Sequence, residues 1–245
     1  VGQTVRKIGR KEPVSGKDIK LSVDLDLQVV AWEALKDKKG AVVIQEVKTG
    51  QVLVLVSSPS FDPNKLTEEV LNSPDYPLFN RTISGAYPPG STFKIITATA
   101  GLEEGKIDAQ TKIEDPGVIT VGVYKYTNWY FTQYGKTEGV IDLVRAIKRS
   151  TDTFFYKVGE FVGAKKLVEW GKAFGLSKAS GIDLPNEIGG FLPDPQGEWF
   201  LGNTYHLAIG QGHLGLTPLQ VNMMTGVIAS GGKLCRPKIQ QTTDN

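Results

Sequence analysis

Hydrophobic and polar residues follow several short, distinct patterns along the chain. Apolar residues recur at helical spacing after Asp24, which predicts a helix that begins there and runs to about Lys38. Two runs rich in β-branched residues, 41–47 and 51–57, flank Lys48-Thr49-Gly50 and predict a hairpin. Because residues 42–44 and 52–56 are uniformly apolar, we expect the hairpin to be covered on both faces. The apolar positions of the predicted helix are Leu27, Val30, Ala31 and Leu35.

The spacing of apolar residues predicts that the second half of the chain is predominantly helical. Segment 108–137 is predicted to be irregular, and its clustered aromatic residues either line a groove or pack the loop. Pro218 lies in the first turn of the last predicted helix. The predicted helices are 139–149, 152–162, 164–174 and 216–230, with a short one near 66–71, a connector at 180–192 and an extended segment at 233–241.

Composition narrows the class of protein. The 245 residues are 40% hydrophobic and 22% charged with a net charge of +2, which is typical of a soluble globular protein and gives no indication of nucleic-acid binding. No apolar run approaches the roughly 20 residues that cross a bilayer. One cysteine, Cys235, excludes an internal disulfide and a multi-cysteine zinc site. The polar, basic segment 1–20 is predicted to be a linker or the end of an upstream module, and a start at Val1 suggests an excised piece.

The candidate chemistry centres on the stretch from Ala86 to Lys94. Two prolines and a glycine, 88–90, force a turn, and the residues from Ser91 to Glu104 predict a helix that begins at Ser91. This helix is apolar on nearly all sides, which indicates burial. A lysine amine in a poorly solvated site loses its proton more easily, and Lys94 lies one turn from Ser91. The pair therefore predicts a serine nucleophile with a lysine base, beside helix N–H groups that can stabilise an oxyanion.

Plainer explanations of both candidate segments remain open at this stage. A serine at the start of a helix is usually an N-cap, and a lysine one turn later is usually solvated. Ser150-Thr151-Asp152, at the predicted break between two helices, can likewise be a capping segment. If the break instead faces a cleft, Ser150 can relay a proton between a lysine and a leaving amine.

Taken together, these stretches resemble a known family. Residues 85–94, Gly-Ala-Tyr-Pro-Pro-Gly-Ser-Thr-Phe-Lys, are similar to the active-serine motif of class B penicillin-binding proteins, the D,D-transpeptidases of peptidoglycan. Residues 150–156 resemble the family's second motif in the S-x-D form of its elongation-type members, and Asn128-Trp129 falls where those members carry an Asp-Trp or similar pair. The resemblance runs from about Asp18 to Pro237 and includes further family stretches at 181–185, 208–212 and 217–220.

The resemblance implies an α+β fold and a domain arrangement. The expected fold is that of penicillin-binding proteins and serine β-lactamases: an antiparallel sheet packed with helices, plus a helical subdomain, with the active serine at their junction. Residues 21–245 would form the transpeptidase domain, after a linker or pedestal end at 1–20. The family's K-T-G motif should follow the last helix by several tens of residues, whereas the K-T-G at 48–50 is interpreted as a turn. We therefore expect the domain to be incomplete at its C-terminus, with its C-terminal strands missing.

The resemblance also implies roles for four residues. Ser91 would attack the penultimate D-Ala carbonyl of a D-Ala-D-Ala stem peptide, and Lys94 would accept the hydroxyl proton. Ser150 would donate a proton to the leaving D-Ala, and Asp152 would position Lys94 or the substrate amide. β-Lactams would acylate the same serine. No metal or cofactor is implied, and no catalytic task is left for His206 or His213.

For the full-length protein, the resemblance implies a setting in cell-wall synthesis. The expected ligands are peptidoglycan stem peptides and β-lactam antibiotics, and the expected partner is a cell-wall glycosyltransferase of the elongation machinery, with no nucleic acid. The expected location is the extracytoplasmic, periplasmic face of the cell membrane, with no transmembrane segment in this chain. Three alternatives remain open: a serine β-lactamase, a β-lactam sensor domain, and a non-catalytic module similar to penicillin-binding proteins.

Overall fold

The computed structural model describes residue 9 and residues 11–241. Within segment 1–20, these residues form no helix or strand and are exposed, and the rest of that predicted linker lies outside the described residues. A 3-10 helix, Gly90–Phe93, leads directly into α3. The helices are α1 (Leu25–Leu35), α2 (Glu68–Leu71), α3 (Lys94–Glu103), α4 (Trp129–Tyr134), α5 (Leu143–Arg149), α6 (Asp152–Val162), α7 (Ala164–Ala173), α8 (Leu201–Ala208) and α9 (Pro218–Ala229), and the strands are β1 (Gly40–Gln45), β2 (Val52–Ser58), β3 (Ile113–Asp115), β4 (Val118–Val121), β5 (Tyr124–Thr127) and β6 (Gly139–Ile141).

Helix α1 begins where the sequence predicts, but it buries a narrower face. The Asp24 carboxylate accepts the N–H of Leu27 and caps the helix, which ends at Leu35 rather than near Lys38. Leu27 and Val30 are exposed, whereas Ala31 and Leu35 pack against the β2 valines. Apolar residues occur all round this helix, so their spacing does not identify the buried face.

The hairpin β1–β2 forms as predicted, in antiparallel register with Gly40 opposite Ser58. Helix α1 covers one face, and α9 covers the other through Leu219 and Met223, which contact Val43 and Leu55. The expectation of two covered faces is therefore confirmed, although the face towards α9 is only half-buried. The predicted extended segment 233–241 runs alongside β2, where the Val52 N–H donates to the carbonyl of Lys238 at 2.9 Å.

The prediction of an irregular segment at 108–137 is wrong. This segment contains β3, the β4–β5 hairpin and α4. The hairpin was readable from the alternation in Val-Ile-Thr-Val and Tyr-Lys-Tyr-Thr around a two-residue turn, in which Gly122 has φ +60°. Strand β3 was not readable, because its three residues are stabilised by pairing with the distant β6.

Two further predictions are corrected by the structure. Residues 139–149 are not one helix: Gly139, with φ +68°, is the first residue of β6, and Asp142 caps the shorter α5 by accepting the N–H of Arg145 at 2.8 Å. Val140, Val144 and Ile147 are exposed, so the apolar residues of 139–149 do not share one buried face. Helix α8 is not among the predicted helices, because Phe200 at its N-cap gives no capping signal in the sequence.

The largest apolar core lies among the helices of the second half. Helix α3 lies in this core with α6, α7 and α8, and the Thr97 hydroxyl ties it to α8 by donating to the carbonyl of Ala208 at 2.7 Å. The α+β prediction is confirmed, with antiparallel sheets of two strands each within the described residues. None of the helices in residues 11–241 is both long enough and apolar enough to cross a membrane.

Candidate active site

Ser91 lies on the exposed side of the turn that opens α3. It belongs to the 3-10 helix rather than to the α-helix itself, and no hydrogen bond is formed by its hydroxyl within the described residues. The turn is fixed from behind, because the N–H of Gly90 donates to the carbonyl of Gly210 at 2.9 Å. A Cβ at Gly210 would lie 2.1 Å from the carbonyl oxygen of Gly90, so this close approach requires glycine.

Lys94 projects its amine into a buried cluster of oxygen atoms. Its side chain is 5% exposed. The amine donates to the backbone carbonyl of Ser150 at 2.8 Å and lies 3.0 Å from the Ser150 hydroxyl. It also forms an ion pair of 2.5 Å with Asp152 Oδ1. The plainer explanation of a solvated lysine is therefore excluded.

Burial lowers the pKa of the Lys94 amine, because the charged form loses hydration. The ion pair and hydrogen bond with Asp152 oppose this effect, and the net direction is a pKa below the ordinary lysine value of 10.5. The site therefore combines an amine that gives up its proton more readily than an exposed lysine does with a carboxylate that holds it in place. That combination suits a group that must both accept and return a proton.

Ser150 has an unusual backbone conformation that explains its double contact with Lys94. It ends α5 in the left-handed region, with φ 52° and ψ 44°. A non-glycine residue in this region is strained and typically marks a constrained site. Here the conformation directs both the carbonyl oxygen and the hydroxyl of one residue to the same amine.

Asp152 occupies the first turn of α6, but it does not act as a cap. Thr151 is the N-cap residue, and its side chain forms no capping hydrogen bond. Asp152 instead uses one oxygen for Lys94 and the other for the backbone N–H of Trp129, at 3.1 Å. Trp129 also donates its indole N–H to the carbonyl of Arg149 at 2.8 Å, so it holds both ends of the Ser150–Asp152 segment.

The structure brings Lys94, Ser150 and Asp152 into direct contact and places Ser91 one turn before Lys94. Their predicted chemical roles stay predictions. Asn128 and Trp129 both contact Asp152, and the residue types do not predict these contacts. The backbone N–H of Trp129 donates to the Asp152 carboxylate, and the Asn128 amide oxygen accepts the backbone N–H of Asp152. Lys48-Thr49-Gly50 is the turn of the β1–β2 hairpin, as interpreted from the sequence.

A polar cavity of about 340 Å³ opens beside Asp152. Tyr126 and Trp129 line it, so part of the predicted aromatic cluster does face a groove. His206 lines the same cavity from α8, whereas His213 packs against Phe191. Across residues 11–241, no three His, Cys, Asp or Glu side chains are grouped so that they can hold a metal ion.

Comparison with known proteins supports the resemblance that the sequence shows. The sequence model of the penicillin binding protein transpeptidase domain matches residues 40–245. The chain is 37% identical to the peptidoglycan D,D-transpeptidase MrdA of Acinetobacter baumannii over 98% of its own length and 38% of that protein's, so it spans about two fifths of this curated relative.

The chain is also similar to solved structures of penicillin-binding proteins. The chain superposes on Helicobacter pylori PBP2 in its complex with MreC with a TM-score of 0.86 and 33% identity, covering 93% of this chain and 44% of that one. It superposes on the penicillin G acyl-enzyme complex of Mycobacterium tuberculosis penicillin-binding protein A with a TM-score of 0.80 and 30% identity, covering 91% of this chain and 54% of that one.

Proposed function

Because the chain belongs to the penicillin-binding protein transpeptidase family, we propose that the protein that carries it is a serine D,D-transpeptidase of peptidoglycan. The observation that carries this proposal is the buried amine of Lys94, held by Ser150 and Asp152 one turn after the exposed Ser91. The substrate is a stem peptide that ends in D-Ala-D-Ala. β-Lactams are inhibitors because they present a reactive amide of similar shape to the same serine.

The first half-reaction is acylation. Ser91 Oγ attacks the carbonyl carbon of the penultimate D-Ala, and Lys94 Nζ takes the hydroxyl proton. The backbone N–H of Ser91 donates one hydrogen bond to the resulting oxyanion. The C–N bond to the terminal D-Ala then breaks, and its nitrogen receives a proton from Lys94 through the Ser150 hydroxyl, which lies 3.0 Å from the amine. The product is an acyl ester on Ser91.

The second half-reaction is transfer. An amine of a neighbouring stem attacks the ester carbonyl and gives up a proton to Lys94. The C–O bond to Ser91 then breaks, and Lys94 returns the proton to the serine oxygen. Lys94 therefore accepts and donates one proton in each half-reaction. Asp152 holds the amine beside the Ser150 hydroxyl through the 2.5 Å ion pair.

Within the longer protein, residues 21–245 belong to the transpeptidase domain and residues 1–20 to a linker or the end of an upstream module. The family match over 40–245 and the packing of α1 on β2 support this division. The longer protein is anchored in the cell membrane with this domain on the periplasmic face, and it works with a cell-wall glycosyltransferase of the elongation machinery. The similarity to a PBP2 that binds MreC supports that setting.

The test uses the protein that carries this chain and two variants, Ser91→Ala and Ser60→Ala. Ser60 is an exposed serine that serves as the matched control. We expect fluorescent penicillin to label the unchanged protein and Ser60→Ala equally and to leave Ser91→Ala unlabelled. A synthetic D-Ala-D-Ala peptide should be cross-linked to an acceptor amine with the same dependence. Persistent labelling of Ser91→Ala would place the nucleophile elsewhere.

The same assay separates the alternatives. Rapid release of hydrolysed penicillin would identify a β-lactamase. A stable penicillin adduct without peptide cross-linking would identify a sensor domain. The absence of any adduct on the unchanged protein would identify a non-catalytic module.

A further inference from the structure

A buried carboxylate behind the candidate site joins four separate segments of the chain. Asp115, at the end of β3, is 2% exposed and forms no ion pair within residues 11–241. Its Oδ1 accepts the N–H of Gly117 at 2.9 Å and the Thr153 hydroxyl at 2.6 Å. Its Oδ2 accepts the amide of Asn128 at 2.9 Å and the N–H of Glu138 at 2.8 Å. All four partners donate, so an ionised carboxylate, which only accepts, matches the site.

One of these four hydrogen bonds leads directly to the lysine. Asn128 is fully buried, and its NH₂ group donates to Asp115. This contact fixes which way the amide faces, so the amide oxygen accepts the backbone N–H of Asp152 at 3.1 Å. Asp152 in turn holds the Lys94 amine. The chain of contacts therefore runs from Asp115 through Asn128 and Asp152 to Lys94.

The other contacts of Asp115 act on the same segment. The Thr153 hydroxyl ties the first turn of α6 to Asp115 one residue after Asp152. The backbone N–H of Asn128 donates to the carbonyl of Gly117, and the N–H of Gly117 donates to Asp115. The start of α4, the first turn of α6 and the β3–β4 turn are thus held at one point.

We propose that Asp115 is a positioning residue for the acylation chemistry, acting through Asn128 on Asp152 and thereby on the Lys94 amine. This inference rests on the proposed function. Asp115 does not touch the reacting atoms. It sets the direction of the Asn128 amide, because only an acceptor at position 115 orients the amide oxygen towards Asp152. A displacement of about 1 Å at a proton-transferring group can cost a hundredfold in rate.

The main test variant is Asp115→Asn. Its NH₂ group must face either the Asn128–Glu138 pair or the Gly117–Thr153 pair, so at least one donor meets another donor. We expect penicillin acylation to slow by roughly tenfold to a hundredfold. Asp108→Asn is the matched control, since Asp108 is an exposed carboxylate that accepts bonds only from its own turn, from Gln110 and Thr111. The control should label at the rate of the unchanged protein.

A paired variant separates positioning from general stability. Asn128→Asp alone places a second acceptor against Asp115 and should also slow acylation. In the double variant, Asp115→Asn with Asn128→Asp, the donor and acceptor are exchanged, and the carboxylate at position 128 again accepts the N–H of Asp152. Glu138 N–H still loses its acceptor, so thermal stability stays reduced while most of the acylation rate returns. A double variant as slow as its parents would overturn the proposal, as would a normal rate in Asp115→Asn.

A structural readout keeps the two proposals distinguishable. If the unchanged protein takes no penicillin at all, the proposed function fails, and a crystal structure of Asp115→Asn then decides the positioning role. Where the new NH₂ group faces Asn128 and Glu138, the proposal predicts a rotated Asn128 amide and a displaced Asp152 carboxylate. If Asp115→Asn does not fold, Asn128→Ala still gives the acylation rate and the position of Asp152, because it removes the link and leaves Asp115 with three donors. An unmoved Asp152 in that orientation, or in Asn128→Ala, would contradict the proposal.

Discussion

Two lysines of this molecule, Lys94 and Lys48, each lie close in sequence to a hydroxyl residue and a glycine. They differ in burial and in the groups that they contact. Lys94 lies in the buried first turn of α3, with its amine on three oxygen atoms. Lys48 lies in the exposed turn of the β1–β2 hairpin. There the neighbouring Glu46 carboxylate accepts the N–H groups of Lys48 and Thr49 and stabilises the turn.

The comparison shows that a short sequence motif alone does not define a catalytic site. At Lys94, desolvation lowers the pKa of the amine, and a carboxylate fixes its position. At Lys48, the side chain is exposed, and the Lys-Thr-Gly sequence forms the turn, for which Gly50 supplies a φ of +79°. The predictions below test whether burial and contacts, rather than the motif, separate the two lysines.

The largest effect is expected at Lys94. Lys94→Ala removes the proton acceptor and should slow acylation by roughly 10²–10⁴-fold, the usual contribution of a general base. Lys94→Arg should be almost as slow, because arginine keeps the charge but does not deprotonate. Stopped-flow labelling with penicillin measures both. A nearly normal rate in Lys94→Arg would make the residue an electrostatic or structural group instead of a base.

A smaller effect is expected for Asp152→Asn. The amide oxygen can still accept from one of the two donors, the Lys94 amine or the Trp129 N–H, while the NH₂ group meets the other. We therefore expect a loss of about tenfold, smaller than the loss of the base itself. Acylation needs the neutral amine, so its rate rises with pH through the Lys94 pKa. Since Asp152 raises that pKa, its removal should move this acid limb to lower pH. The pH profile of the acylation rate measures the shift. A limb that moves to higher pH would contradict the assigned ion pair.

The smallest effect is expected for Lys48→Ala. Exposed turn residues usually change stability by no more than about 0.5 kcal/mol, and Lys48 contacts no group of the candidate site. Labelling should therefore stay within about twofold of the unchanged protein, with a similar melting temperature. A strong loss of acylation here would mean that Lys48-Thr49-Gly50 takes part in the chemistry and that the comparison is wrong.

The sequence predicted those features that depend on local pattern. The helix that follows Ser91, the α6 and α7 helices, the hairpin and the four candidate residues all came from spacing, turn residues and family resemblance. The three-residue strands β3 and β6 did not, because their pairing joins residues that are distant in sequence. Asp115 carried no signal either: it looks like an ordinary turn residue until folding brings Asn128, Glu138 and Thr153 to it. The left-handed backbone of Ser150 was equally hidden, since serine rarely adopts it.

The most direct test of the central claim is to locate the penicillin adduct by mass spectrometry. Trypsin cleaves after Arg81 and Lys94, so one peptide carries both Ser84 and Ser91. Ser84 is a built-in comparison, because its hydroxyl is engaged with the carbonyl of Asn186 at 2.8 Å. Fragment ions should place the whole adduct on Ser91 and none on Ser84. An adduct on Ser84, Ser150 or any serine outside this peptide would contradict the account.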